Sequence, residues 1–469
     1  MIFTSIPFWS LFILFLCVFA FIRRSSCTGM MLYVTAFSLL FFYLANDWLM
    51  LILPSLAIFS WGATRWMSKQ EGAKRKWAIT AIVIADLLPL AYFKYTNFAI
   101  DIWNQMVGTN FSFLSIALPI GISFFTFQAI SHAVDVYKGK WTEDVTFLEY
   151  IFYLSFFPLL MAGPITRAGT FFPQVKQLKP VPEETLYTGL WLIMLGLLKK
   201  LVVADYIAQY NNWIFDDPTG YSGYENLMGM IGYSVQIYCD FSGYSDISIG
   251  LAAMMGITLL DNFNFPYQSI NVTEFWRRWH ISLSTWFRDY LYIPLGGNRK
   301  GKFRTYINNF LTMLVAGLWH GSTPMFIIWG ALHGAGLMVH KFSKRWLDAI
   351  PNGFAVNALS WVLTFTFVSI AWVYFRADSV ATAHTIFRQV ITDFDIAYLV
   401  PFFTARPTWC VLVLGSMLVH AVRTEFLHKL IDRFIYSPWI VKVLLFLIVI
   451  QLCVQFHTNT VQPFIYYQF

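Results

Sequence analysis

The sequence predicts an all-α polytopic membrane protein, and three observations carry that prediction. Only 12% of the 469 residues are charged, while 58% are hydrophobic. An ordinary soluble domain has about 45–50% apolar and about 25% charged residues. Apolar runs of about 20 residues, the length that crosses a bilayer core, recur along the whole chain. No long polar stretch interrupts them, so residues 1–469 read as a single membrane-embedded domain without a soluble one. With soft edges, about eleven to thirteen membrane segments are expected, some of them re-entrant.

In chain order, the first spans fall near Ile6–Ile22, Met30–Ala45 and Trp48–Thr64. No positive charge leads the first, and Arg23 and Arg24 follow it, the reverse of a cleavable signal peptide. Arg65, Lys69, Lys74, Arg75 and Lys76 against Glu71 mark a cytoplasmic loop, which puts the N-terminus outside. A fourth span, Trp77–Phe93, returns outward, and the polar-aromatic Asn97–Phe113 suits the interface. Pro119 and Gly121 predict a broken or re-entrant start to the segment ending near His132 and Asp135, a pair at helical spacing with a structural role. Leu148–Met161 ends sharply at Gly163-Pro164, and Leu186–Leu198 ends at Lys199-Lys200. Tyr224–Met255 carries Asp240 and Asp246, which fit either a proton relay or a satisfied polar network. Later spans fall near Tyr306–Trp319, Met325–Met338, Val356–Phe375, Trp409–Val419 and Ile440–Val454.

The net charge of +7 follows from the positive-inside bias, and no basic stripe on a soluble surface points to nucleic acid. The five cysteines are scattered, without CxxC or metal spacing, so neither a disulfide framework nor a metal site is expected. Gly-x-Ser-x-Gly, P-loop and dinucleotide fingerprints are absent, which disfavours a covalent acyl-serine.

The stretch Phe275–His333 concentrates the chemistry. His280, His320 and His333 lie in or beside apolar segments, where ionisable groups are functional candidates. Taking an imidazole out of water disfavours its charged form, which leaves it able to act as a base. His320 fits that role or a packing role, and Gly321 beside it admits close approach. Arg277 and Arg278 alternate with Trp276 and Trp279, a pattern that fits an interfacial belt or an anion grip to which Arg288 would add. Arg299, Lys300, Lys302 and Arg304 read as a positive-inside loop. His333, 13 residues past His320, would lie about 140° round an unbroken helix; a break at Pro324 and a structural role are expected. His340, His384, His420, His428 and His457 have no supporting context.

These residues together resemble the membrane-bound O-acyltransferase (MBOAT) family, in its bacterial alginate O-acetylation branch. The resemblance rests on Met1–Ser5, Leu118–Phe127, Ala162–Ile165, Tyr238–Asp246, Phe275–Ser282, Tyr292–Asn298, Trp319-His320-Gly321, Trp372–Ala377 and Phe464–Phe469. It implies helices ringed around a central tunnel. It also implies His320 as the family histidine, His280 as the second catalytic position, and a thioester donor, acetyl-CoA or an acyl carrier, as substrate with no bound cofactor. Arg277, Arg278 and Arg288 would grip the donor. The chain shows no esterase-like domain, so the resemblance implies a separate extracytoplasmic SGNH/GDSL-type partner in addition to the bilayer. A D-alanyl cargo for teichoic acid is the alternative; a glycan exporter without chemistry fits the motifs least well.

Overall fold

The computed structural model describes residues 3–176, 180–347, 349–351, 353–422, 424–457 and 464–467. Of the stretches named above, Met1, Ile2, Gln468 and Phe469 lie outside the described residues. The chain is helical, with no strand among the described residues. Four helices are long and apolar enough to cross a membrane: Ile6–Ser25, Cys27–Ser68, Gly72–Val107 and Phe354–Arg376. The second holds a turn at Asp47–Leu51 and so contains both of the spans expected there. Two bent pairs, Ile396–Ala405 with Pro407–Ala421 and Glu425–Ile435 with Trp439–Gln455, raise the number to six. Other expected segments are interrupted by polar groups or broken into short helices, which removes the continuous apolar length that a span needs.

The chain divides into two compact units, Met1–Leu190 with Ile247–Leu260, and Trp191–Asp246 with Asp261–Phe469. In the first unit, Phe8, Phe12, Phe15 and Phe19 recur every three or four residues on one face of Ile6–Ser25, and all are buried. Phe8 and Phe12 stack at 5.7 Å, and Phe157 meets Phe15 edge-on at 5.6 Å. The opposite face carries Ile6, Ile13, Leu14 and Phe21, all exposed. Apolar residues inside and out are what a helix in lipid shows.

Gly72–Val107 runs well past the expected span and continues through Asn97. Asn97 and Asn104, two turns apart, each hold a returning extended segment: Asn97 exchanges two 2.9 Å hydrogen bonds with the Leu114 backbone, and Asn104 does the same with Phe111. The broken start is present: Gly121, at φ +86°, precedes the helix Ile122–Tyr137, and a Cβ there would strike the Leu160 carbonyl. The His132–Asp135 pairing does not form. Neither His132 nitrogen has a hydrogen-bond partner among the described residues, and the ring packs on Tyr150 at 5.0 Å.

The helix Glu183–Leu197, whose last residues from Trp191 on belong to the second unit, does not stop at the two lysines. It continues through a wide π-turn, Leu198–Ala204, into Asp205–Asp216. The turn faces Lys199 and Lys200 inward because carboxylates receive them. Lys199 pairs with Asp246 at 2.7 Å, and the buried Lys200 pairs with Asp205 at 2.7 Å and with Asp240. The two aspartates of Gly223–Met254 are therefore members of a satisfied polar network.

Candidate active site

The helix Gly301–His320 ends at His320, and Pro324–Leu347 begins four residues later, so the expected break is present. Small residues let the two helices approach: a Cβ on Gly330 would strike the Met313 carbonyl, and one on Gly334 would strike Phe310. Gly321 is small for a local reason, since a Cβ there would overlap the Phe326 ring. The break places His320 and His333 against the same indole. Trp329 lies 4.8 Å from each ring.

His320 is 3% exposed and is also packed on Phe375 at 5.3 Å and Tyr466 at 5.3 Å. His280 is fully buried, packed on Phe241 at 4.6 Å, and 6.3 Å from the same Tyr466 ring. The two histidines named from sequence thus both approach one phenol ring. Tyr466 arrives on the short turn Ile465–Tyr467. That turn is tied down because the Ile465 N–H donates to Asp240 Oδ2 at 2.9 Å, while Asp240 also holds Lys200. In the sequence, the ending Phe464–Phe469 contributes only to the family resemblance. No periodicity or spacing could reveal that Tyr466 folds back to within reach of two histidines.

His280 stands in the left-handed region at φ +42°, as the residue before the helix Ile281–Phe287. A non-glycine residue held there costs about 1–2 kcal/mol, so the surroundings must impose it. Asn262 supplies much of that constraint. Its carbonyl accepts from the Ile281 N–H at 2.9 Å, and its side-chain oxygen lies 3.0 Å from His280 Nδ1.

His333 is buried too, with Trp276 Nε1–H donating to its Nδ1 at 3.2 Å. It belongs to a packed aromatic group with Trp329, Phe367 and Trp276, in keeping with the expected structural role.

The three arginines separate. Arg278 is committed: it pairs with Glu274 at 2.9 Å and donates to the Asn264 carbonyl and the Gln268 amide oxygen. Arg277 and Arg288 instead line a cavity of about 500 Å³, together with Lys341, Tyr292, Ser284 and Met313. Arg288 is engaged by Asp289 at 2.8 Å, whereas Arg277 and Lys341 have no carboxylate partner among the described residues. The lining also includes Ile281 and Ala316, which lie one and four residues from His280 and His320 in sequence. No group of histidine, cysteine and carboxylate side chains that could hold a metal occurs among the described residues.

An all-helical membrane protein with two buried histidines beside one phenol is the class that fold and site define. The family model "MBOAT, membrane-bound O-acyltransferase family" matches residues 37–377, and the chain belongs to that family. It is 42% identical over 324 residues to the probable alginate O-acetylase AlgI of Pseudomonas aeruginosa, covering 68% of this chain and 61% of that protein. The chain therefore spans less than two thirds of that relative. It is 36% identical to the peptidoglycan O-acetyltransferase of Helicobacter pylori, over 77% of this chain and 73% of that one. It is 30% identical to the teichoic acid D-alanyltransferase of Bacillus subtilis, over 66% of this chain and 80% of that one.

Proposed function

We propose that this chain is an O-acyltransferase of the bacterial inner membrane, oriented with its N-terminus outside. It moves an acetyl group from a cytoplasmic thioester, acetyl-CoA, toward a hydroxyl of an extracytoplasmic polysaccharide or peptidoglycan. A separate esterase-like protein outside makes the final transfer. The carrying observation is the pair His280 and His320, both buried where water cannot compete and both within reach of the Tyr466 ring.

In this reading His320 takes the proton from the acyl-accepting hydroxyl as its oxygen attacks the thioester carbonyl. The C–O bond forms, the C–S bond breaks, and the proton passes to the departing sulfur. His280 assists at the same carbonyl or orients the donor. Arg277 supports a donor carrying phosphates, because it faces the cavity without a carboxylate partner. The acetyl cargo is favoured over D-alanine because the relatives named for O-acetylation are 42% and 36% identical, against 30% for the D-alanyltransferase. The test is chemical. Envelope polymers from a strain lacking this chain are expected to lose acetyl esters and keep D-alanyl esters, and labelled acetyl-CoA should mark the polymer or the partner only when the chain is present. Loss of D-alanyl esters alone would transfer the assignment to the other cargo.

A further inference from the structure

We propose that Asn262 is a positioning residue that locks His280 as its Nδ1–H tautomer, leaving the Nε2 lone pair as the ring's reactive edge. The inference rests on the reading that His280 belongs to the reacting site, and it narrows what His280 can do there.

The Ser282 backbone N–H can only donate, and it lies 3.3 Å from the Asn262 side-chain oxygen. That contact fixes which amide atom is oxygen. The opposite end agrees, because Asn262 Nδ2 donates to Ser245 Oγ at 3.1 Å, and the Ser282 hydroxyl donates to the same Asn262 oxygen at 2.9 Å. With an acceptor thus established 3.0 Å from His280 Nδ1, that nitrogen must carry the hydrogen. Asn262 is 1% exposed and His280 is fully buried, so water offers no alternative partner. The Ile281 N–H bond to the Asn262 carbonyl, at 2.9 Å, keeps the two residues in register.

Nε2 is the nitrogen left over. It is buried and has no hydrogen-bond partner among the described residues. In the neutral ring it is an acceptor, so it can receive a hydrogen bond or a proton from a substrate O–H or N–H. It cannot polarise the thioester carbonyl, because that requires a hydrogen to donate. His333 shows the opposite arrangement a short distance away in the same unit. There Trp276 donates to Nδ1, so the hydrogen of the neutral ring lies on Nε2.

The experiment uses full-length protein in detergent, labelled with ¹⁵N-histidine, with His280→Gln as the assignment control. The His280 signals should show a protonated Nδ1 and an unprotonated Nε2; the reverse pattern overturns the proposal. Asn262→Leu should mix the tautomers and lower kcat for acyl transfer by about 10²-fold, with KM for the thioester within about twofold. Asn262→Asp keeps an acceptor at Nδ1 and should recover most of that rate. An Asn262→Leu enzyme that is folded, shows the wild-type ¹⁵N pattern and turns over at the wild-type rate would overturn it. Should Asn262→Leu not fold, the Asp variant and the wild-type spectrum still decide. If His280→Ala retains full transfer activity while the tautomer stands, the reading of the site fails instead.

Discussion

Phe8, Phe12 and Phe15 in the first unit meet rings of Phe37, Phe41 and Phe157, and Phe19 stacks on Phe15. In the second unit, Lys200 meets Asp205 and Asp240 in a buried place, and Lys199 meets Asp246 beside it, partly buried. The aromatic stack gains from many small contacts, with each aromatic pair adding about 0.5–1.5 kcal/mol, and losing one leaves the rest. The ionic group is all or nothing, because a charge deprived of its partner stays buried. Stability and placement thus come from different kinds of contact. Burying charge is a poor route to a strong fold, but it gives direction. Here Asp240 uses one oxygen for Lys200 and the other for the Ile465 N–H, and that second bond holds the turn that carries Tyr466 to both histidines.

Three substitutions sharpen the contrast. Lys200→Met should have the largest effect, stranding Asp205 and Asp240 at a loss of about 3–5 kcal/mol. Thermal melting in detergent should drop, and the surviving folded protein should transfer poorly because Asp240, which anchors the Tyr466 turn, loses the ammonium that holds it in place. A melting temperature equal to wild type would show that the ion group does not hold the second unit together. His320→Ala should lower melting less than Lys200→Met does, since it loses packing on Trp329, Phe375 and Tyr466 but strands no charge, and should lower acyl transfer per folded molecule in membranes by about 10²–10⁴-fold. Wild-type transfer by that variant would remove His320 from the chemistry. Phe12→Ala should do the converse. It loses ring packing toward the lower end of about 3–5 kcal/mol, since lipid is itself apolar, and keeps its rate per folded molecule. A slowed rate at normal stability would mean that the aromatic stack is not merely structural.

Much of this was legible in the sequence for a simple reason. Lipid makes the same demand on every span, so Val356–Phe375 and Ile440–Val454 agree with Phe354–Arg376 and Trp439–Gln455 to within a few residues. The break before Pro324 was legible because proline has no N–H to continue a helix. His280 and His320 stood out because ionisable groups in apolar surroundings are rare. What stayed hidden depended on partners distant in sequence. Lys199-Lys200 reads as a helix end until Asp240 and Asp246 are seen to receive the two ammonium groups across a π-turn. His132 and Asp135 have the spacing of a pair, yet the ring packs on Tyr150 and its nitrogens remain without hydrogen bonds among the described residues. Asn262 and Tyr466 carry no local signal at all, since their roles exist only once the segments around 262, 280 and 466 converge.

The smallest expected effect separates neighbouring arginines by the same rule of partnered and unpartnered charge. Arg278 is tied to Glu274, Asn264 and Gln268, whereas Arg277 faces the cavity with Lys341 and without a carboxylate partner among the described residues. If a phosphate-bearing donor enters that cavity, Arg277→Ala should raise KM for the thioester by about tenfold with kcat nearly unchanged, the signature of lost uniform binding. The loss should shrink as salt screens the exposed guanidinium of the wild-type protein. Arg278→Ala should leave KM close to wild type and slightly lower the melting temperature, because its bonds join parts of the chain to one another. The check is a donor titration of both variants at low and high salt. Equal KM changes for the two would mean that the cavity beside Arg277 is not where the donor's charge is held, and would return these arginines to the interfacial belt that their tryptophan neighbours also suggest.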